Sequence, residues 1–527
     1  MNDQKRHWDA VIIGSGFGGS FTALQLTRAG KSVLILDRGR WVDRDDSAWD
    51  TKAILLDQKY RGSTPYDAPQ IGGRKLMYPN TTIGGSSVFY GAASFRLREA
   101  DFERRRQFGL SSGTDEAVVD WPIRYADLAP FYEEAEQLLG VSGVAGIDPT
   151  EPPRQNGYSA PPPPFSAPAR RVAAAAQTLG LHPFPIPLAI NFYHDNGRAR
   201  CVQCTTCDLY PCKIGAKNDL SVTVLPHAMQ LGAEVRASTE VTTLRMRNGR
   251  ATGVNCRDVT TGETFEITAE AVIISAGAIG SARILLGSGL GELEPNGPLI
   301  GRYLMRHCTG VVVGVFPFET NPEQSFHKQV AITDFYFGDA QQVGPPGPWG
   351  MMQGLQVPPP EYLASAPGPL GLMASRLHGN FIFLICIAED EPRPENRVHL
   401  HPSATDASGT PIARLEHAHT RRDRQGRRAL YRQGRRLLHE AGAVFAAPKP
   451  ISTFSHQLGT CRFGTDPSDA VLDPMCRVFG VPNLFVVDGS FMPTSAGVNP
   501  SLTIAANALR IGTHITTTWE DVQRGRG

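Results

Sequence analysis

The amino-terminal segment contains the pattern that most restricts the fold of this chain. An apolar run, residues 10–13, leads into a turn with the spacing G-x-G-x-x-G at Gly14, Gly16 and Gly19, followed by a helical stretch and a second apolar run. Asp37 ends that second run, about 20 residues beyond the turn. A strand, a glycine turn, a helix and a strand that ends in an acid form a unit typical of dinucleotide binding. The segment therefore predicts a βαβ unit of an α/β protein with a dinucleotide site.

Each glycine of this turn has a separate task. Gly14 permits the tight turn, Gly16 lets a pyrophosphate approach the backbone, and Gly19 lets the helix pack closely on the strand. Asp37 is placed to accept a hydrogen bond from a ribose hydroxyl. The alternative, an ordinary glycine-rich βα turn, is less favoured because the strand, the helix and the acid occur together at the required spacing.

A second group of informative residues lies near the carboxyl terminus. His456 begins the segment HQLGTCR, and an apolar run, residues 484–487, ends at Asp488. A helix is predicted to begin near Pro500, with Asn499 as its N-cap. A helix N-terminus beside a titratable imidazole would stabilise an anion that forms in front of it. A reduced flavin is such an anion.

The two ends of the chain together resemble the glucose–methanol–choline (GMC) family of FAD-dependent oxidoreductases. Residues 84–91, GGSSVFYG, are similar to the flavin-contacting loop of that family. Residues 277–291 resemble its second signature, with Ala282 where the family usually has proline or serine, and residues 300–307 resemble the stretch that follows. The similar segments follow the family's order, whereas residues 310–380 match little.

This resemblance implies an α/β fold with two domains. One is a discontinuous, Rossmann-like FAD-binding domain, and the other is a substrate domain with a mainly antiparallel sheet. The expected boundaries are 1–140, 205–308 and 450–527 for the FAD-binding domain, and 141–204 and 309–449 for the substrate-binding domain.

The resemblance also assigns residues to catalysis and to the cofactor. The alcohol carbon is expected to lose its hydride to flavin N5, while His456, as the base, takes the hydroxyl proton. Asn499 occupies the second catalytic position, and because an amide cannot act as a base it is expected to hydrogen-bond the substrate oxygen. Tight, non-covalent FAD is expected. The residues implied to contact FAD are Gly14, Gly16, Phe17, Gly18, Gly19, Asp37, Arg38, Gly84, Ser86, Tyr90, Gly91, Val241, Ala276, Asp488, Gly489, Asn499, Pro500 and Thr503. For Val241, the sequence alone favours simple core packing.

Four of the nine cysteines form a cluster with the spacing C-x2-C-x2-C-x4-C, at Cys201, Cys204, Cys207 and Cys212. The spacing is close to a ferredoxin motif, although its last gap is longer. An iron–sulfur cluster, a structural zinc site and ordered thiols or a disulfide all remain open as interpretations. The remaining cysteines are scattered and are expected to be packing residues.

Two long stretches have no assigned task. Residues 343–375 are rich in glycine and proline and are predicted to be a long loop, either a cover over the substrate pocket or a packed surface loop. Residues 421–440 form a basic helical stretch. A solvated helix face is favoured there over a docking site for an acidic redox partner.

Composition limits the partners. The net charge of +1 gives no general attraction to nucleic acid. No run of about 18 apolar residues occurs, so no membrane span is expected. The first strand begins almost at once, which leaves no room for a secretory signal, and a cytoplasmic location is expected. The expected partners are a small alcohol or sugar and an external electron acceptor, namely a quinone, a redox protein or oxygen.

Four functions are consistent with these residues to different degrees. A dehydrogenase of alcohols or sugars is favoured. An oxidase that forms hydrogen peroxide and a lyase that keeps FAD without redox turnover are the alternatives. A flavin-binding protein without catalytic activity is disfavoured by the pair His456 and Asn499.

Overall fold

Two large sheets organise the protein, whose structure is a computed structural model. It describes residues 7–69, 76–108, 117–193, 197–338, 347–451 and 455–524.

The first sheet has seven strands and forms around the amino-terminal strand. Residues 10–13, 33–36 and 271–274 of its middle strands are apolar and buried, as expected for parallel strands covered on both faces. Beyond Thr264–Ile274, the strands Arg250–Asp258 and Thr239–Arg247 extend the sheet as an antiparallel meander. In spatial order the strands are Glu234–Arg236, Val33–Leu36, His7–Ile13, Thr264–Ile274, Arg250–Asp258 and Thr239–Arg247, with Leu484–Val486 paired in parallel to the end of Thr264–Ile274.

Three helices begin at the carboxyl-terminal edge of this sheet. Phe17–Arg28 follows the strand His7–Ile13, and Gly277–Gly287 follows Thr264–Ile274. The long helix Ser501–Thr517 packs against Phe17–Arg28. Because parallel strands end at the same edge, the amino ends of these helices meet there. This edge is the structural basis of the site described below.

The second sheet has six antiparallel strands. The helix Arg421–Glu440 packs on it through a buried stripe that includes Leu430, Leu437 and Leu438, while several of its arginines are exposed. The basic stretch is therefore an amphipathic helix with a solvated face, as the sequence favoured. In spatial order the strands are Phe445–Pro450, Gly310–Val315, Phe381–Ala388, Gly350–Leu355, Val330–Ile332 and Phe184–Pro185.

The glycine- and proline-rich stretch 343–375 is not the single long loop that its composition predicted. Residues 343–346 lie outside the described residues. The rest contains the buried strand Gly350–Leu355 and two short helices, Pro360–Ala364 and Pro369–Arg376. Proline begins both helices, at a position where its missing N–H removes no hydrogen bond. The prolines of this stretch therefore mark helix starts and not one continuous loop.

Two small sheets complete the described strands. Arg397–Thr405 and Pro411–Glu416 join Tyr66–Asp67 and Leu76–Met77, and Val141–Ser142 pairs with Leu188–Ala189. The first of these sheets joins segments of both expected domains, and the domain boundaries stay a prediction. The other helices are Glu99–Phe102, Arg104–Phe108, Tyr125–Leu138, Ala167–Thr178, Val224–Gln230 and Trp519–Arg524. Among the described helices, none is both long enough and apolar enough to cross a bilayer.

Candidate active site

The glycine turn after the first strand is tightly enclosed by protein except at Gly16. Gly14 has φ +98°, and a Cβ there would lie 2.2 Å from the carbonyl oxygen of Ser275. A Cβ on Gly19 would lie 2.0 Å from the carbonyl oxygen of Gly14. At Gly16, by contrast, a Cβ would meet no atom within 4 Å. The turn thus has open space at the one glycine that a pyrophosphate must approach.

The helix that begins at this turn offers free backbone donors. Gly16 is its N-cap and supplies no side-chain hydrogen bond, and the first turn, which begins at Phe17, contains no acidic residue. The first N–H groups of a helix have no partner within the helix, and its dipole favours negative charge there. Of these groups, the N–H of Gly19 donates to the Ser275 hydroxyl at 2.7 Å, so the donors for a ligand are those that precede it. Together with the open space at Gly16, this geometry fits the phosphates of a dinucleotide.

Asp37, the acid at the end of the second strand, is hydrogen-bonded to the glycine turn. Asp37 accepts hydrogen bonds from the backbone N–H of Ser15 at 2.9 Å and from the Ser15 hydroxyl at 2.5 Å. Thr239 donates its N–H to the carbonyl oxygen of Asp37 at 2.8 Å, which brings the strand of Val241 to the same region. Val241 is itself buried.

The segment 84–91 packs directly on the glycine turn. Gly84 has φ +90° and donates its N–H to the Ser15 hydroxyl at 2.8 Å. The ring of Tyr90 lies 5.7 Å from that of Phe17, and its hydroxyl donates to the carbonyl of Asn218 at 2.8 Å. Ser86 is exposed in the short helical turn Gly85–Val88.

The opposite end of this segment is crowded by a buried ion pair. A Cβ on Gly91 would lie 1.9 Å from both Asp208 Oδ1 and Lys328 Nζ. These two atoms are 2.8 Å apart. A side chain at position 91 would therefore displace the ion pair.

Asp488 follows the parallel strand Leu484–Val486 and connects it to the helix Gly277–Gly287. Its buried carboxylate accepts hydrogen bonds from the N–H of Gly277 at 3.0 Å, from the N–H of Ser490 at 2.9 Å and from the Ser281 hydroxyl. Burial raises the pKa of Asp488 against the opposing effect of these donors. The carbonyl of Gly489 accepts the N–H of Gly459 at 3.0 Å, so this turn also holds the segment that carries His456.

The remaining predicted cofactor residues lie around the same edge. Arg38 donates to the Tyr66 hydroxyl at 3.1 Å, and Ala276 donates its N–H to Ser281 at 3.1 Å. Thr503 is buried, with its hydroxyl 2.7 Å from that of Tyr132. Gly18 packs against the carbonyl of Val487, where a Cβ would lie at 2.4 Å.

His456 lies in a loop with left-handed backbone, φ 54°. Its Nδ1 is 3.0 Å from Nδ1 of His307, a residue that the sequence did not single out. Burial, assisted by the positive charge of Lys328, holds the pKa of His456 well below its usual value of 6.5. His456 is thus a neutral imidazole at pH 7, which is the form a base requires.

Asn499 does not cap the helix as predicted. The helix begins at Ser501, and Pro500 occupies the N-cap position without a side-chain hydrogen bond. Pro500 already has a helical backbone, and its carbonyl accepts the N–H of Ile504 at 3.1 Å, which displaces the helix start by one residue. The Asn499 amide oxygen accepts instead from Gln353 Nε2 at 3.4 Å.

His307 connects the loop of His456 to the segment that precedes Asn499. His307, which touches His456, also donates from Nε2 to the carbonyl oxygens of Ser495 and Ala496, at 2.9 and 3.1 Å. Those carbonyls lie just before Asn499 in the chain. No local sequence signal identifies His307 or Lys328, because both belong to segments that are distant from His456 in the chain.

The four clustered cysteines do not form a preformed metal site. They are partly buried and all unpaired. Across the described parts of the chain, the one group of three or more potential ligands within 4.8 Å of one another is Asp390, His417 and His419. Burial raises the pKa of the Cys201 thiol to about 12, so this group stays protonated at neutral pH. The predicted iron–sulfur cluster or zinc site is therefore not supported.

Comparison with known proteins identifies the family. The sequence models for the amino- and carboxyl-terminal domains described as GMC oxidoreductase match residues 9–309 and 392–508. The chain belongs to the GMC oxidoreductase family. It is 31% identical to a 2-methyl-1,2-propanediol dehydrogenase of Mycolicibacterium austroafricanum, over 98% of this chain and 96% of that protein. It is 33% identical to a paromamine 6'-oxidase of Streptomyces fradiae, over 96% of this chain and 91% of that protein.

A solved structure supports the fold of this GMC oxidoreductase. Pyridoxine 4-oxidase from Mesorbium loti superposes with a TM-score of 0.67 at 21% identity, over 96% of this chain and 99% of that one. The predicted family, the α/β fold and the assignment as an oxidoreductase of alcohol or sugar CH–OH groups are confirmed. The predicted FAD is also supported, since the open turn at Gly16 and its free helix donors suit the cofactor of this family.

Proposed function

We propose that this GMC oxidoreductase is a dehydrogenase in which His456 is the base and Asn499 holds the substrate oxygen. The observation that carries the proposal is a neutral, half-buried imidazole that His307 connects to the segment leading into the helix Ser501–Thr517. Such an imidazole can accept a proton at neutral pH without prior deprotonation.

The reaction divides the two hydrogens of the CH–OH group between two acceptors. FAD, when bound, supplies the oxidant that takes hydrogen from carbon together with the electron pair of the C–H bond. The hydroxyl proton goes to His456, and the carbon–oxygen bond becomes a carbonyl. Asn499 offers an amide donor to that oxygen, and its own oxygen is oriented by the Gln353 amide.

The backbone donors of the helix Ser501–Thr517 support the same chemistry. Its first turn has no acidic residue and no capping side chain, so its N–H groups face the site without an internal partner. A preorganised helix N-terminus stabilises negative charge that develops during a reaction.

The base is tested by the substitution His456→Ala. Under anaerobic conditions, the rate constant for flavin reduction by an alcohol substrate should fall by about 10²- to 10⁴-fold. The yellow FAD spectrum should remain, because His456 is not needed to hold the cofactor. The control is His514→Phe, at a half-buried histidine on the last long helix, which should reduce flavin at the wild-type rate. Wild-type reduction by His456→Ala would refute the assignment.

The electron acceptor separates the proposed dehydrogenase from an oxidase. Relatives of both kinds resemble this chain, since one is named a 2-methyl-1,2-propanediol dehydrogenase and another a paromamine 6'-oxidase. We propose a quinone or a redox protein as the acceptor and an alcohol or sugar as the substrate. Turnover with an artificial acceptor should therefore exceed peroxide formation in air, and the reverse would favour the oxidase. A substrate screen of diols, polyols and pyranosides under these conditions identifies the alcohol. A cytoplasmic location remains part of the proposal.

A further inference from the structure

His307 is a buried histidine directly behind the proposed base. Its ring is almost perpendicular to that of His456, at 86°, and the two Nδ1 atoms are 3.0 Å apart. The contact follows from strand register. Met305 and Leu458 exchange both backbone hydrogen bonds, at 3.0 and 2.9 Å, as a bridged antiparallel pair. His307 lies two residues after one member and His456 two residues before the other, and such positions face each other in an antiparallel pair.

The hydrogen bonds of His307 determine where its own proton lies. Its Nε2 is 2.9 Å from the carbonyl oxygen of Ser495 and 3.1 Å from that of Ala496. A carbonyl oxygen can only accept, so Nε2 carries a hydrogen. Burial lowers the pKa of His307, which makes the neutral ring the dominant form at pH 7. A neutral imidazole has one N–H, so Nδ1 of His307 is an acceptor.

The short contact between the two rings then determines the tautomer of His456. Two Nδ1 atoms at 3.0 Å need one hydrogen between them, and His307 does not supply it. We propose that His307 is a positioning residue that accepts the Nδ1–H of His456 and so leaves the lone pair of His456 on Nε2, ready for the substrate hydroxyl. This inference rests on the proposed function of His456.

The backbone around both rings is built to hold this arrangement. His307 and His456 both have left-handed backbone, with φ 61° and 54°, which non-glycine residues adopt at an energetic cost. Asp390 holds the segments on both sides of His307 through two hydrogen bonds. The Asp390 carboxylate accepts the N–H of Arg306 at 2.8 Å, and the Asp390 backbone N–H donates to the Ser495 hydroxyl at 2.9 Å. His417 in turn lies 2.8 Å from that carboxylate.

The arrangement also helps the protonated base. When His456 takes the substrate proton on Nε2, its Nδ1–H becomes a charge-assisted donor to His307, and such hydrogen bonds are stronger than neutral ones. His307 therefore does two things in one reaction: it aims the lone pair before proton transfer and stabilises the imidazolium after it.

Three substitutions separate these tasks from mere support of the fold. His307→Phe removes the acceptor, and we expect the rate constant for flavin reduction to fall by about 10²-fold or more, with FAD retained. His307→Asn keeps an amide oxygen near the position of Nδ1 and should recover most of that loss. His307→Gln reaches the Ser495 carbonyl instead and should stay as slow as His307→Phe. A rate that recovers with glutamine rather than asparagine would overturn the proposal.

A double substitution tests whether His307 acts through His456. In the His456→Ala background, His307→Phe should cause no further loss, because there is no ring left to orient. An additional loss equal to that of the single substitution would assign His307 a separate role and overturn the proposal. If His456→Ala alone reduces flavin normally, the proposed base itself fails, which is a different outcome.

The tautomer is also measurable without a substitution at His307. In the wild-type holoenzyme, ring ¹⁵N resonances assigned to His456 by their loss in His456→Ala should show a protonated Nδ1 and an unprotonated Nε2. The reverse pattern would contradict the proposal even if every His307 variant failed to fold.

Discussion

The hydroxyl of Ser15 accepts the backbone N–H of Gly84 at 2.8 Å. The same hydroxyl donates to Asp37 at 2.5 Å, so one fully buried side chain joins the glycine turn, the acid of the second strand and the segment 84–91. These three elements are distant in the chain, and each is expected to contact FAD. Ser15 therefore sets the spacing between the two halves of the cofactor site.

Replacement of Ser15 by alanine should weaken FAD binding. Two hydrogen bonds are lost, one of them to a carboxylate, which corresponds to about 1–3 kcal/mol or about a 10- to 100-fold increase in the Kd of FAD. The measurement is a fluorescence titration of apoprotein with FAD. Ser32→Ala is the matched control, since Ser32 makes the same kind of bond, to Asp9 at 2.8 Å, at the start of the second strand. Equal effects of both substitutions would argue against a specific role of Ser15.

A substitution in the glycine turn can separate an effect on folding from an effect on FAD binding. Gly16→Ala should leave the apoprotein as stable as wild type within about 0.5 kcal/mol, because the backbone there is extended and the added methyl group meets no atom within 4 Å. The methyl group would occupy the space expected for the pyrophosphate, so FAD binding should weaken at least about tenfold. Thermal unfolding of apoprotein and FAD titration measure the two effects.

Two further glycines are controls for this experiment. Gly14→Ala should prevent folding of the FAD domain, since its Cβ would approach the Ser275 carbonyl oxygen to 2.2 Å in left-handed backbone. Gly30→Ala also requires left-handed backbone but meets no neighbour, and should cost about 1 kcal/mol without loss of FAD affinity. Unchanged FAD affinity of Gly16→Ala would show that the cofactor does not approach this glycine.

The features predicted from sequence are those set by local spacing. Gly14 and Gly19 have the expected turn and packing positions because a tight turn and a close helix–strand contact restrict residue type within one βαβ unit. The contact of Asp37 with a ribose stays a prediction. The helix start at Pro500 was displaced by one residue because capping depends on backbone angles that the residue type only biases.

The rest depends on contacts between distant segments. His307 faces His456 because Met305 pairs with Leu458, and a single sequence contains no trace of that register. The cysteine spacing resembled a metal motif, yet spacing alone does not bring thiols within a common coordination sphere. The same limit applies to Lys328, whose charge acts on His456 although Lys328 lies far away in the chain, just before the strand Val330–Ile332 of the second sheet.

The pH dependence of flavin reduction provides a test of the electrostatics around His456. The base is active when neutral. Burial together with the positive charge of Lys328 lowers its pKa well below 6.5, so the neutral form persists as the pH falls. With a polyol substrate that does not ionise, the rate constant for flavin reduction should stay constant from about pH 8 to about pH 6 and decline only below. A half-maximal rate at pH 6.5 would show an unshifted histidine and contradict the structure.

Substitution at Lys328 should shift, in a defined direction, the pH at which the rate constant for flavin reduction declines. Lys328→Met removes a positive charge near His456 and leaves the carboxylate of Asp208 without its partner at 2.8 Å. Loss of the positive charge favours the protonated imidazole, so the pKa of His456 should rise and the loss of activity should begin at higher pH. Lys328→Arg keeps the charge and should keep the wild-type profile. The FAD absorbance spectrum recorded at each pH shows whether cofactor loss, rather than protonation of His456, causes the decline. If this decline shifts to lower pH in Lys328→Met, Lys328 does not act on the base through its charge.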